Sequence, residues 1–349
     1  MPQSAMGLYE GMLGNSGAAI SDTTAASFYN PSLLSKKKAN SYSLSANSFG
    51  SVKSKNQDTE YSSLTLNPAY LSTVIVGSYL VHEIFFYSTT PSKLNYITKT
   101  TTAEFSNSTE TQSDNNQINF GYSMAFQTIP FALSYFAEYL QFKSFSFAES
   151  NSNTSILKST TASKSELTSF GLGVSASGHF TIDNYTFGAN FKSRRLTIYK
   201  KRTGSGTIYS YGAAGATDYK KELLETDSAN TMPTFFGNSI IIGHGFKIGD
   251  HEFLTDTNLD EESELNYRFR ATQTFGYRMN SDFGHQFLCG ISHLINSDIR
   301  YFGQSAYYST GYSWLTRTQR STIGLYYYSS RLEQEISAVG LTFGSEFNY

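Results

Sequence analysis

INFGYSMAFQTIPFALSYFAEY, residues 118–139, decides how the rest of the chain is read. Ile118, Phe120, Tyr122, Met124 and Phe126 alternate with Asn119, Gly121, Ser123 and Ala125, the period of two that marks a strand with unlike faces. Residues 127–130 turn the chain, and Phe131, Leu133, Tyr135 and Tyr139 return on one parity. A soluble β-sandwich would carry more Lys and Glu on its polar face than this pair does. The large apolar residues are therefore expected to face lipid, and the small or polar ones a lumen.

Composition points the same way. The 349 residues carry a formal net charge of −2, and charged residues are 15% of the chain, against roughly 25% in soluble globular proteins. Mean hydropathy is nevertheless −0.34, because Ser, Thr and Asn are plentiful. The 26 Tyr and 27 Phe suit β-structure and membrane interfaces, where an amphipathic ring sits at headgroup level. No run approaches the ~18 apolar residues of a membrane helix, so a closed sheet is the remaining way to pair every backbone group in hydrocarbon. Met1 is not followed by a charged and then an apolar leader region; for an outer-membrane protein, removal of a leader is expected.

Similar segments fill the chain from about residue 40 onward. Leu64, Leu66, Tyr70, Val74 and Val76 share a parity over residues 61–79, with a turn expected at 80–82. A third strand, residues 83–98, contains Pro91, which cannot donate to a ladder and so predicts a bulge, a kink or a local gap in the wall. Short connections (127–130, 180–184, 249–251, 280–284) alternate with long or polar ones (99–116, 144–164, 203–233, 260–264). Within 203–233, Thr217 or Asp218 is placed to cap a short helix. Keeping parity gives about 14 antiparallel strands, an all-β transmembrane barrel with both wall ends on the short-turn, periplasmic side. Val339, Leu341, Phe343, Phe347 and Tyr349 share one face of the last strand, which resembles the terminal signal read by barrel-assembly machinery.

The first stretch, residues 7–34, is different: small, Gly- and Ala-rich, without alternation. It is expected to be a plug in the lumen, dividing the chain into a plug (1–38) and a barrel (39–349). Its elements are Gly7-Leu8, Gly14, Gly17-Ala18-Ala19 with Asp22, and Phe28-Tyr29-Asn30-Pro31-Ser32. These resemble the amino-terminal plug of the FadL/TodX family of outer-membrane transporters for long-chain fatty acids and hydrocarbons, although Ser32 stands where that family usually has Ala. The resemblance implies passive uptake of a hydrophobic compound, a pocket bounded by the plug, and lateral release into the bilayer through a gap at a kink in the third strand, here Pro91. It assigns plug and gating roles to Gly7, Leu8, Gly14, Gly17, Asp22, Phe28, Asn30 and Pro31. Some members of the family serve as partners of secretion or surface-attachment machinery, so a docking barrel that transports nothing is the alternative. An outer-membrane lipid hydrolase is a further one.

Catalytic motifs are missing: no G-x-S-x-G elbow, H-E-x-x-H or paired Cys motif occurs, and no enzyme activity, cofactor or metal is expected. Cys289 reads as a small apolar strand residue, and the six histidines, near turns or on strands, lack ligand spacing. Residues 256–262 begin like a calcium loop, but Glu261 replaces the obligatory Gly and Tyr267 the bidentate Glu. Lys36, Lys37 and Lys38 read as a solvated turn or a phosphate contact, and Lys192, Arg194, Arg195, Lys200, Lys201 and Arg202 as a solvated strand end or a site for anionic lipid. The expected partners are hydrophobic small molecules, outer-membrane lipids or detergent, the barrel-assembly machinery and other protein chains; a charge balance near neutral gives nucleic acid no support.

Overall fold

The computed structural model describes residues 7, 9–20, 22–55, 65–101, 105–152, 158–193, 196–211, 222–223, 238–261, 269–281, 283–295, 304–331 and 335–349. A helical turn α1 (Ala26–Tyr29) and a 3-10 turn (Pro31–Lys36) precede the strands. These are β1 (Ser41–Lys55), β2 (Thr65–Val76), β3 (Leu80–Thr101), β4 (Phe105–Phe126), β5 (Phe131–Ser152), β6 (Lys158–Ile182), β7 (Tyr185–Lys192), β8 (Leu196–Tyr211) and β9 (Glu222–Leu223). They continue with β10 (Ser239–Ile248), β11 (His251–Glu261), β12 (Phe269–Asn280), β13 (His285–Leu294), β14 (Gln304–Leu315), β15 (Gln319–Arg331) and β16 (Glu335–Asn348).

Fourteen strands, β1–β7 and β10–β16, form a closed antiparallel ring, sealed where β1 pairs with β16 from Ser41↔Asn348 onward. β8 prolongs the line of β7 along β6, and β9 pairs with β8. On most strands the two faces are sorted as the sequence predicts, but on β2 the parity of Tyr70 and Val74 faces inward, where it packs on the amino-terminal segment, and Leu71 and Ile75 are exposed. Phe120, Leu172, Phe253, Phe275 and Leu341 are exposed on the outside, while Ser45, Asn119, Ser134, Asn190, Thr274 and Thr342 are buried inside. Among the described residues no helix is long and apolar enough to cross a membrane. A barrel with apolar residues outside and polar ones inside inverts the soluble arrangement and matches one solvated by lipid.

Several boundaries differ from expectation. The turn after β2 falls at residues 77–79, not 80–82. The stretches 99–116, 144–164 and 203–211, read as loops, are largely strand: β3, β4 and β5 run for 22 residues each and β6 for 25. About 9–11 residues suffice to cross a bilayer. The surplus lies beyond the apolar band, where water meets both faces of the sheet, so Ser and Thr replace the alternation that would have revealed a strand. Residues 256–261 likewise belong to β11. Thr217 and Asp218 lie outside the described residues, and Glu222–Leu223 downstream is a two-residue strand.

Candidate functional site

Residues 9–34 are buried apart from Asp22, and Ser21 lies outside the described residues. They pack on the inward faces of strands all round the ring. The Tyr307 hydroxyl donates to Gly11 O at 3.0 Å, Ser16 and Thr274 hydroxyls meet at 2.7 Å, and Asn190 Nδ2 donates to Tyr29 O at 3.0 Å. Asp256, the first residue of the calcium-like stretch, is turned to a different use. Its Oδ2 accepts from the backbone N–H of Gly17 at 2.7 Å and of Ala18 at 2.8 Å.

Cross-strand glycine pairs, Gly188↔Gly243, Gly276↔Gly290 and Gly311↔Gly324, lie under residues 12–19. A Cβ on Gly188 would stand 1.9 Å from Ala18 O. On the other side of the contact, Gly14 has φ +67, and its Cβ would stand 2.6 Å from Ile291 N, so both space and conformation demand glycine there. Gly7 also has positive φ, and Gly17 abuts the Tyr29 ring. Leu8 lies outside the described residues.

Polar knots hold the segment's shape. Glu10 accepts from Thr23 Oγ1, Thr24 N and Thr24 Oγ1, each at 2.8 Å. Asn30 caps the 3-10 turn, accepting from Ser32 N at 3.2 Å, and its Nδ2 donates to Ala18 O at 2.8 Å and Gly178 O at 3.2 Å; Pro31 takes the first helical position, where a missing N–H costs nothing. Asp22 pairs with Arg320, and Lys37 with Glu346. Lys37 is thus neither a solvated turn nor a phosphate contact. Burial works against its ammonium, but Glu346 and Asp22 outweigh it and hold its pKa above the usual value.

Several apolar clusters fill the interior, and the one richest in aromatic rings gathers around α1. Ala25, Phe28, Tyr29, Tyr70, Phe85 and Tyr87 form a buried cluster with Phe136 against it. Phe28 meets Tyr29 and Tyr87 edge-on, at 4.8 and 5.1 Å between centroids. Glu83 anchors it from below: Oε1 accepts from the Tyr70 hydroxyl at 3.0 Å, and Oε2 from Ser27 N at 3.1 Å and from the Ser27 hydroxyl. Lys192 also reaches it, its Nζ 4.3 Å from the Phe28 centroid. That places Lys192 inside, in neither role expected of the basic cluster; Arg194 and Arg195 lie outside the described residues.

This cluster stands where the wall changes. The β2–β3 ladder ends at Tyr70↔Tyr87, whereas β1–β2 pairing runs on to Thr65 and β3–β4 pairing to Thr101. Each flanking strand is irregular just past that rung. β1 and β2 slip register between Ser45↔Tyr70 and Ala46↔Pro68, and β3 and β4 between Thr89↔Gln117 and Ser92↔Asn115, which leaves Thr90 and Pro91 unpaired. Two prolines, Pro68 and Pro91, thus border a stretch in which β2 and β3 share no rung among the described residues.

Three solved structures overlay the whole barrel. The Ralstonia pickettii toluene transporter TbuX matches with a TM-score of 0.68 at 12% identity, over 99% of each chain. The monoaromatic hydrocarbon channel CymD gives 0.65 at 11%, over 100% of this chain and 99% of its own, and the Pseudomonas putida toluene transporter TodX gives 0.60 at 13%, over 99% of each. The chain has the fold of these hydrocarbon channels. No family model and no curated protein sequence matches it. The likeness to TodX therefore lies in backbone architecture, in agreement with the resemblance drawn from residues 7–32.

Sequence reading missed Pro68, Tyr70, Glu83, Phe85, Tyr87, Lys192 and Asp256. Residues 81–87 of β3 carried a signal, because apolar side chains occupy both parities there, which a lumen facing water does not require. Among the described residues no cluster of His, Cys, Asp and Glu is arranged for a metal ion. Val339, Leu341, Phe343 and Phe347 lie outward on β16, and Tyr349 stacks on Tyr42 at 4.8 Å.

Proposed function

We propose that the protein is a passive channel for hydrophobic compounds in a Gram-negative outer membrane, with residues 1–38 as its plug, residues 39–349 as its barrel, and release sideways into the bilayer. The observation that carries this reading is the end of the β2–β3 ladder at Tyr70↔Tyr87 with an aromatic cluster directly behind it. An apolar solute gains nothing by entering water, whereas lipid holds it by about 0.8 kcal/mol per buried methylene. A route from an aromatic chamber through a seam bordered by Pro68 and Pro91 keeps such a solute out of water throughout.

In this reading Phe28 forms the chamber wall, Asn30 and Pro31 fix α1 to the barrel, Gly7, Gly14 and Gly17 let the plug lie flat on the wall, and Asp22 tethers it. Toluene transport by TbuX and TodX supports a compact aromatic solute; Lys192 beside Phe28 supports one with an acidic head, such as a fatty acid. Val339, Leu341, Phe343, Phe347 and Tyr349 serve the barrel-assembly machinery. Deleting residues 4–29 tests the plug: the barrel should still fold, and uptake of labelled toluene and labelled fatty acid should change. Unchanged uptake of both would refute a gating plug.

A further inference from the structure

Four of the six histidines repeat one arrangement on the outside of the barrel. His82, His244, His251 and His285 each face residue j across a ladder (Met124, Phe187, Met279 and Trp314) and each bond the tyrosine at j−2. The Nδ1···OH distances are 2.5 Å to Tyr122, 2.7 Å to Tyr185, 2.7 Å to Tyr277 and 2.5 Å to Tyr312. All four pairs sit toward the short-turn end of their strands. In the tautomer in which the phenol donates to Nδ1, the ring proton is on Nε2, and a pair in that form offers one N–H to its surroundings.

Two of the pairs border a groove of about 550 Å³ that crosses β10 to β13. Its walls include Phe246, Phe253, Phe275, Cys289 and Ile291, and its floor is the backbone at Gly245, Gly276 and Gly290. Tyr185 and His244 close one end, and Tyr277, bonded to His251, lies along it. A shallow trough in a lipid-facing wall fits an acyl chain, and an imidazole N–H at its margin fits a phosphodiester oxygen. Apolar length with one anionic acceptor is the chemistry of a glycerophospholipid.

We propose that this outer groove binds one glycerophospholipid, an acyl chain lying over Gly245, Gly276 and Gly290 and the phosphodiester accepting from His244 Nε2. The site is on the opposite side of the wall from the aromatic chamber and does not depend on what passes through the lumen.

The full chain, reconstituted in vesicles of phosphatidylethanolamine and phosphatidylglycerol and re-extracted in mild detergent, can be weighed by native mass spectrometry. Folding of each variant is checked by its heat-dependent gel mobility. The wild type and His82→Leu, whose pair lies on β3 and β4 away from the groove, should retain one phospholipid per chain. His244→Leu, which removes the donor, should lower retention about tenfold, the effect of losing one hydrogen bond to a charged oxygen, and Cys289→Trp, which fills the trough from outside, should lower it by a steric route. No lipid on the wild type, or equal retention by all four proteins, would overturn the proposal in favour of ordinary annular lipid.

Discussion

Tyr87, on the last rung of the β2–β3 ladder, meets Phe28 of the amino-terminal segment edge-on with ring centroids 5.1 Å apart. A wall residue and a segment residue therefore share one contact at the place where the wall stops being hydrogen-bonded. Moving α1 would change the mouth of the seam, and Glu83, which binds Ser27 and Tyr70 together, makes that movement a concerted one.

Phe28→Ala removes this edge-to-face contact, worth about 0.5–1.5 kcal/mol beyond its buried area, and opens the chamber toward the seam. Uptake of labelled toluene into proteoliposomes should rise severalfold over wild type. An unchanged rate would separate the aromatic cluster from the transport route.

Pro68→Val with Pro91→Val returns two donors to strands that lack them, and each substitution suits a β-branched residue. Closing the seam in this way should slow uptake while leaving the barrel's heat-dependent gel mobility intact. Faster or equal uptake would show that solute leaves elsewhere.

Asp256→Ala withdraws the acceptor that holds Gly17 N and Ala18 N. A hydrogen bond contributes about 0.5–1.5 kcal/mol net, and two are lost here, so the segment should loosen. Single-channel recordings should then show larger or noisier ion conductance, and Gly188→Ala, which pushes on Ala18 O, should do the same by a steric route.

Lys37→Met leaves the buried Glu346 carboxylate with Arg320 Nη1 at 3.7 Å as its remaining cation among the described residues. Breaking a buried pair by removing one partner costs about 3–5 kcal/mol. The temperature at which the folded band disappears on a gel should fall, and Lys37→Arg should restore most of it.

The barrel was legible because lipid and lumen impose opposite demands on alternate residues, as Ile118–Phe126 displays. Its height was not, since the Ser- and Thr-rich ends of β4, β5 and β6 meet water on both faces and lose that contrast. Pro91 announced itself by chemistry, as a residue that cannot donate. Pro68 carries the same signal but sits beside Tyr70 and Val74, whose shared parity suggested an unbroken strand. Lys192 and Asp256 were hidden for another reason: each lies in a run of charged residues that reads as solvated, and only the ring's closure shows which parity faces the segment.

The paired glycines at 188 and 243, 276 and 290, and 311 and 324 tie two distant parts of the gene to one another. With no wall side chain at these positions, the segment's backbone lies directly on Gly188 and Gly290 and the Met12 side chain on Gly311 and Gly324, and neither surface has slack. A larger residue at position 188 is tolerable only if the backbone at Ala18 has already moved away, and a bulkier residue at 14 only if Ile291 has. Natural variants of this chain should therefore show substitutions in residues 12–19 matched by substitutions at these wall positions, while the lipid-facing residues beside them drift independently.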